Sequence, residues 1–525
     1  MNKTTTHLLV LVVIFLSSCS TKTKQEDKKN QLKNPNIIYI LADDLGYGDI
    51  KSFNSEGKIP TPNLDNMATN GVMFTDAHTS SAVCTPTRYG ILTGRYNWRS
   101  SLKSSVLSGY SKSLIKEERT TVANMLKKQG YSTAYIGKWH LGWDWDIEKN
   151  DIKKSYDLND RPKVNFNSPI KNGPSTHGFD YSFGFCGSLD MPPYVLVEND
   201  MATMVPTKKT VSVDEKGVWR KGLTSDDFVH ANILQDLTDK AVNYINQKAD
   251  SDKPFFLYFP LPAPHTPILP TTEFLGKSNT NMYGDFVMQV DDVVGQIREV
   301  LKANGISENT LLVFTSDNGC SPKSDFDELK RVGHNPNYSF RGSKADIFEG
   351  GHRVPFIIEW PNKALKNVTS SKIICTTDFF ATCAEVVDYK INDDEAEDSF
   401  SMLPLILGES DTEIREYTIH HSINGSFAIR KGNWKLNICQ GSGGWSYPSP
   451  KDIKNEKLEL PDMQLYNLKE DIGETKNLVS EYPKKAAELK AALKKIILDG
   501  RSTAGVIQKN EGMESWKQIE FIIKE

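Results

Sequence analysis

The chain of 525 residues has too few cysteines to rest on a disulfide framework: seven, at positions 19, 84, 186, 320, 375, 383 and 439. It also lacks an excess of either charge. Its 63 Lys and Arg against 67 Asp and Glu leave a formal charge of −4, which supplies no bulk attraction for nucleic acid or for acidic membranes, so no nucleic-acid partner is expected. No internal repeat or low-complexity tract stands out, and a content of 38% hydrophobic and 25% charged residues excludes disordered and collagen-like classes. Any anion handled by such a chain has to be gripped locally, by a few residues.

Long membrane-spanning runs are missing as well. The apolar segment Leu8 to Leu16 is too short to cross a bilayer of about 30 Å as a helix. With Lys3 before it and Leu16-Ser17-Ser18-Cys19 after it, it reads as a secretory signal. The Leu-Ser-Ser-Cys ending resembles a bacterial lipobox, which implies that residues 1–19 are a lipoprotein signal, that Cys19 is lipidated, and that residues 20–34 are a polar tether. The expectation is an exported lipoprotein of the cell envelope, periplasmic or at the outer surface, touching membrane only through its anchor. Ordinary cleavage beside an incidental cysteine is the alternative.

Folded sequence begins at Pro35-Asn36-Ile37-Ile38-Tyr39-Ile40-Leu41, a continuous apolar run of the kind buried on both faces of a sheet. Similar runs at Tyr131 to Ile136, Phe255 to Phe259, Leu311 to Thr315 and Val354 to Glu359 alternate with helical patterns at Thr121 to Lys128, Val229 to Lys248, Phe286 to Ala303 and Asp378 to Val387. This alternation predicts an α/β fold with a large, mostly parallel central sheet flanked by helices over 35–408. Residues 144–225 read as insertions and loops. Over 409–525, four short strand patterns and a helix from Pro483 to Leu498 predict a smaller C-terminal α+β unit with an antiparallel sheet.

In such sheets ligands bind beyond the carboxyl ends of the strands. Two strand patterns end in acids: Asp43-Asp44, and Ser316-Asp317-Asn318-Gly319. Adjacent carboxylates repel unless a cation or hydrogen-bond donors separate them, and this oxygen set suits Ca²⁺, or less well Mg²⁺. Taken singly, each pair also reads as ordinary turn residues. The segment Cys84-Thr85-Pro86-Thr87-Arg88 followed by Tyr89-Gly90-Ile91-Leu92-Thr93-Gly94-Arg95 is more specific. It fits the C-x-P-x-R core by which sulfatases are marked for conversion of cysteine to formylglycine.

From Asn36 to Leu468 the chain resembles the type I sulfatases of the alkaline phosphatase superfamily. The motifs fall in the family's order: the Asp43-Asp44 strand, the cysteine signature, Gly137-Lys138-Trp139-His140-Leu141-Gly142, Pro264-His265-Thr266-Pro267, Asp317-Asn318, and Arg341-Gly342-Ser343-Lys344. The resemblance implies that Asp43, Asp44, Asp317, Asn318 and the modified Cys84 hold one Ca²⁺. It further implies a hydrated formylglycine as nucleophile, a sulfated hemiacetal intermediate, and a formylglycine-generating maturation enzyme as partner. Arg88 and Lys138 would neutralise the nucleophile and sulfate, His140 would be the base for hemiacetal collapse, and His265 would protonate the leaving oxygen with Lys344 binding sulfate or sharing that role. Ser188, Asp190, His334 and Arg341 are read as substrate contacts, against ordinary turn or rim residues. His420 and His421 are expected to point one into a core and one to solvent, and the five remaining cysteines to be small buried groups or free thiols.

The activity implied is calcium-dependent hydrolysis of sulfate monoesters on sulfated carbohydrate: algal polysaccharide, glycosaminoglycan-like oligosaccharide, or sugars sulfated at the 6-position of galactose or N-acetylgalactosamine. A phosphate or phosphonate monoester hydrolase of the same superfamily is the second reading, and a non-catalytic surface glycan-binding lipoprotein the third.

Overall fold

The strand Asn36–Ala42 (β1) sets the architecture. Successive side chains of a strand point to opposite faces, and here Ile37, Tyr39 and Leu41 enter one hydrophobic core while Ile38, Ile40 and Ala42 enter another. A segment apolar at every position therefore needs cover on both sides. The structure, a computed structural model, describes residues 34–148, 162–512 and 515–523; the signal segment, Cys19 and nearly all of the polar tether lie outside the described residues. Among those residues, no helix is long and apolar enough to cross a membrane.

Strands follow in chain order as β2 (Val72–Phe74), β3 (Ala77–His78), β4 (Ser132–Lys138), β5 (Tyr181–Phe185), β6 (Val197–Glu198), β7 (Met201–Ala202), β8 (Lys208–Ser212), β9 (Trp219–Thr224), β10 (Phe255–Pro260), β11 (Thr310–Ser316), β12 (Phe356–Glu359), β13 (Val368–Ser370), β14 (Ile374–Cys375), β15 (Thr418–His421), β16 (Phe427–Lys431), β17 (Trp434–Asn437) and β18 (Gln464–Asn467). The described residues form a ten-stranded main sheet in the order β13-β2-β12-β11-β1-β10-β4-β5-β6-β7. Its centre, β11 through β5, is parallel, whereas β12 runs antiparallel to both β11 and β2.

Helices cover both faces. On one side lie α1 (Pro62–Thr69), which contributes Leu64 and Met67, α4 (Ile233–Ala249) and α5 (Met282–Ala303). On the other lie α2 (Cys84–Thr93), α3 (Val122–Lys128) and α6 (Phe379–Val386). The start of α3 is set by Thr121, whose hydroxyl accepts the Asn124 N–H (3.1 Å) while the Asn124 side chain accepts the Thr121 N–H (3.0 Å), a reciprocal cap that satisfies two helix-end donors.

Strand β5, inside the segment read as loops, extends the main sheet by pairing in parallel with β4. Its sequence YSFGF hides the signal, because Ser182 and Gly184 interrupt the apolar run. Gly184 is required there: a Cβ would come within 2.0 Å of the Gly137 carbonyl oxygen.

The four strands β15-β16-β17-β18 form the small antiparallel sheet, and α7 (Pro483–Asp499) lies on it through Ala486, Leu489, Leu493 and Ile497. That three- to four-residue spacing puts one apolar stripe on one helix face, and each fully buried Leu or Ile contributes about 1.5–3 kcal/mol. The same core takes in Tyr96, Trp98 and Cys375 from before residue 408. The change of sheet near Gly408 is thus not a break in packing. His420 and His421 differ from the alternating expectation: both are buried, because β15 is sandwiched against the larger sheet's loops. The His420 ring stacks on His352 (centroids 3.8 Å apart, planes at 5°). All five remaining cysteines are free thiols, four of them buried.

Candidate active site

The site lies at the carboxyl ends of four adjacent parallel strands. Strand β1 delivers Asp43 and Asp44, β11 delivers Asp317 and Asn318, β4 ends in Lys138 and leads to His140, and β10 leads through Pro264 to His265. The pairing of Ala42 with Ser316 brings the two acidic ends side by side. The Asp317 N–H donates to the Ala42 carbonyl (3.0 Å), and the Asn318 amide donates to Asp44 Oδ1 (2.7 Å). Asp44 and His140 both adopt left-handed backbone (φ 65° and 54°), a conformation costly for residues with a Cβ and concentrated at functional sites.

Cys84 begins α2, buried, with Arg88 one turn on along the same helix. The Arg88 guanidinium donates to Asp317 Oδ2 through Nε (3.0 Å) and Nη2 (2.8 Å) and to the Lys138 carbonyl through Nη1 (2.8 Å). Lys138 Nζ donates to Asp43 Oδ2 (2.5 Å), and Lys344 Nζ sits 2.6 Å from Asp44 Oδ1. Three cations and three carboxylates thus interlock, all buried.

Two buried oxygens in this cluster, Asp43 Oδ1 and Asn318 Oδ1, have no hydrogen-bond partner. One ligating atom from each of Asp43, Asp44, Cys84 and His265 lies within 4.8 Å of the others. Burial and the neighbouring Asp43 push the Asp317 carboxyl up, against the pull of Arg88 and Lys138, as carboxylates crowded together out of water do. Unpartnered hard oxygens and frustrated acids are what a divalent, oxygen-preferring ion would satisfy, so the residues present fit calcium. Burial also raises the Cys84 thiol to about 11, over the opposing pull of Lys138 and Lys344. At neutral pH it is a thiol, not a nucleophilic thiolate.

His140 is held by residues that the sequence does not flag. Its Nε2–H donates to the Leu107 carbonyl (2.9 Å), and its own carbonyl accepts the Thr85 hydroxyl (2.8 Å), which in turn accepts the Leu107 N–H (3.3 Å). That bonding assigns the proton to Nε2 and leaves Nδ1, buried and unpartnered, as an acceptor. Burial, then Lys138, hold His140 well below its ordinary pKa. His265 Nδ1–H donates to the Thr266 carbonyl (2.6 Å), and Nε2 lies 3.6 Å from Asp44 Oδ2; burial and Lys344 keep its pKa low.

Of the remaining expected residues, Ser188 joins the site, its hydroxyl lying 3.4 Å from Lys138 Nζ and 3.3 Å from His265 Nδ1. Asp190 lies at the edge, in an ion pair with Arg220. His334 is placed otherwise than as a substrate contact. It is buried, with Nε2 on Asp49 Oδ1 (2.9 Å) and Nδ1 accepting the Lys58 N–H (3.2 Å), so neither ring nitrogen is free. Arg341 likewise anchors the chain, donating to the Glu474 carbonyl (2.7 Å) with its guanidinium over the Phe348 ring (3.9 Å).

Comparison with known proteins agrees with this geometry. The family model described as sulfatase matches residues 35–389. An N-acetylgalactosamine-6-O-sulfatase of Bacteroides thetaiotaomicron is 32% identical over 94% of this chain and 99% of its own length, and arylsulfatase A of Homo sapiens is 29% identical over 92% of each. Among solved structures, one from the system by which Bacteroides thetaiotaomicron metabolises multiple glycosaminoglycans superposes with a TM-score of 0.76 at 32% identity, covering 89% of this chain and 99% of that one. The chain, with its cysteine-headed helix set among strand-end acids and buried cations, belongs to the type I sulfatase family and is a sulfuric ester hydrolase.

Proposed function

We propose that this sulfatase removes 6-O-sulfate from N-acetylgalactosamine or galactose units of a sulfated carbohydrate, with one Ca²⁺ and a formylglycine made from Cys84 by a maturation enzyme. The observation that carries the reading is the convergence of Asp43, Asp44, Cys84 and His265 within 4.8 Å inside a shell of three buried cations. The substrate class is supported by the 6-O-sulfatase relative that matches over nearly its whole length and by a mouse N-acetylgalactosamine-6-sulfatase at 30% identity.

Asp43, Asp44, Asp317 and Asn318 would hold the ion together with residue 84. When bound, the ion and the aldehyde hydrate supply a nucleophilic oxygen at position 84 that a neutral thiol does not offer. The protein's own contribution is electrostatic. Arg88, Lys138 and Lys344 balance the three carboxylates, so the ion's two charges remain uncompensated and available to a sulfate group. These cations are locked by their acid partners before substrate arrives, so little reorganisation accompanies reaction. His140 Nδ1 accepts a proton on the nucleophile side; its low pKa keeps it neutral and competent near pH 7. The neutral His265 ring keeps its proton on Nδ1, so Nε2, facing Asp44, passes a proton to the leaving oxygen only from the imidazolium form, and Lys344, held charged by Asp44, is the neighbouring donor. Ser188, between Lys138 and His265, contacts the sulfate.

The test is sulfate release from galactose and N-acetylgalactosamine 6-sulfates beside their 4-sulfate isomers, with paired aryl sulfate and aryl phosphate. Faster turnover of 4-sulfates overturns the positional reading, and phosphate turnover far above sulfate favours the phosphomonoesterase alternative. The envelope lipoprotein reading rests on the Leu-Ser-Ser-Cys19 sequence, and predicts fatty-acid labelling that Cys19→Ala abolishes.

A further inference from the structure

A loop of the C-terminal region, residues 441–448, holds two aromatic side chains out in solvent: Trp445 is 50% exposed and Tyr447 63%. Loops are ordinarily ordered by burying such groups. This one is ordered by polar ties instead. The Ser442 N–H donates to the Pro448 carbonyl (3.0 Å) and closes the loop, and the Gln464 amide donates to the Gly441 carbonyl (2.8 Å). The Ile347 N–H donates to the Ser442 carbonyl (2.8 Å). The buried Asp346 carboxylate accepts the N–H groups of Trp445 (2.8 Å) and Ser446 (3.0 Å) and the Ser446 hydroxyl. Gly444 permits the contact, since a Cβ there would come within 2.4 Å of the Ala345 carbonyl oxygen. The Tyr447 hydroxyl donates to Glu456 Oε2 (3.0 Å), which fixes that ring's direction.

The segment to which the loop is clipped is the one that carries Lys344. Asp346 lies two residues beyond it, and Ser343, immediately before it, has its hydroxyl 3.5 Å from that of Ser446. The backbone that aims the Lys344 ammonium into the site therefore also sets the position of Trp445. Asp346 is already occupied by the loop's own donors, so the face offered is aromatic, with the Glu456 carboxylate on the Tyr447 hydroxyl as its charged neighbour. Such a face suits the C–H side of a sugar ring, not a sulfate or a carboxylate.

We propose that Trp445, with Tyr447 beside it, is a stacking platform for a pyranose ring of the carbohydrate that carries the sulfate ester, one subsite away from the sulfate pocket. This rests on the sulfated-carbohydrate reading above and adds to it a preference for chains over isolated sugars. An exposed indole on a backbone already fixed by Asp346 orders the substrate without the loop having to be ordered first.

The experiment compares wild type, Trp445→Ala and Trp445→Phe on a 6-sulfated oligosaccharide and on an aryl sulfate, with thermal unfolding as a check on folding. Trp445→Ala is expected to raise KM for the oligosaccharide about tenfold, the equivalent of about 1.4 kcal/mol, with kcat within about twofold. The ratio of oligosaccharide to aryl sulfate kcat/KM falls accordingly, and Trp445→Phe restores most of it. Tyr482→Ala removes a similarly exposed aromatic (47%) outside this loop and leaves the ratio as in wild type. An unchanged ratio in a folded Trp445→Ala protein overturns the platform, as does a loss confined to kcat or equal on both substrates. Wild-type enzyme that cleaves aryl sulfate but no sulfated oligosaccharide overturns the carbohydrate reading itself, and the platform with it.

Discussion

Lys435→Met is the most informative perturbation outside the active site. Lys435 projects from β17 into a fully buried ionic network, with Nζ 3.0 Å from Glu349 Oε1, 2.9 Å from Glu474 Oε1 and 3.1 Å from His352 Nε2. Arg430 links Glu349 to Asp76 in the same network, so the small sheet is bolted to the segment that follows Lys344. Removing one member of a buried pair strands its partner without solvation and costs about 3–5 kcal/mol. An unfolding entropy of about 2.1 cal/mol/K per residue, over a unit of this length, gives about 1 kcal/mol per degree, and hence a drop in Tm of about 3–5 °C at pH 7.5. The pH dependence separates this cause from a simple packing defect. Burial pushes Glu349 up, but Lys435, His78 and Arg430 outweigh it and hold it well below the ordinary carboxylate range. A depressed carboxylate contributes stability above its unfolded pKa that is lost as pH falls. In Lys435→Met that contribution is weakened, and a stranded carboxyl is relieved by taking up a proton. The Tm gap between wild type and variant must therefore narrow between pH 7.5 and pH 5, and Lys435→Met/Glu474→Gln should recover part of the loss at pH 7.5. Calorimetry that shows no gap, or one that widens in acid, refutes the reasoning.

Other outcomes follow from the site. The peptide containing Cys84, from active enzyme made in its native host, should be lighter by about 18 Da than the thiol form, and Cys84→Ala should abolish turnover with Tm nearly unchanged; an intact thiol in active enzyme would contradict the mechanism. His140→Ala should lower kcat by about a hundredfold or more. Because burial depresses its pKa and the neutral form is the base, the acid limb attributable to His140 lies below pH 6.5 in wild type, and a limb centred above 7 would exclude it. Chelation should remove activity and lower Tm, with Ca²⁺ restoring both. Restoration by Zn²⁺ but not Ca²⁺ would count against the oxygen donor set.

The pattern of strands and helices was legible where it depended on neighbours in sequence. β1, β10 and β11 announce themselves because burial on both faces demands apolar residues at every position, and acids at the ends of β1 and β11 mark the site because the parallel sheet brings those ends together. Strand β5 was not legible, since its glycine answers to the close approach of β4 and its serine to the Asn199 carbonyl, and neither to a local period. His334 looked like a polar loop residue free to meet substrate; burial against Asp49 gives it a structural task instead. For His420 and His421 the alternation rule failed because each face of β15 meets protein.

What the sequence determined by itself is the chemical inventory and its order along the chain: the cysteine with Pro86 and Arg88, the paired acids, Lys138 with His140, His265 and Lys344. The acids, Cys84 and Lys138 survive as a linear pattern because each is placed by the end of a strand or the first turn of a helix, a local property, whereas His265 and Lys344 stand in the loops between elements. Tertiary structure alone decided which ring nitrogen of His140 is free, which oxygens lack partners, and which polar residues are anchors. Those depend on Leu107, Thr85, Asp49 and Glu349, residues far apart in sequence that meet only when hydrogen-bond donors and charges taken out of water must each find a partner.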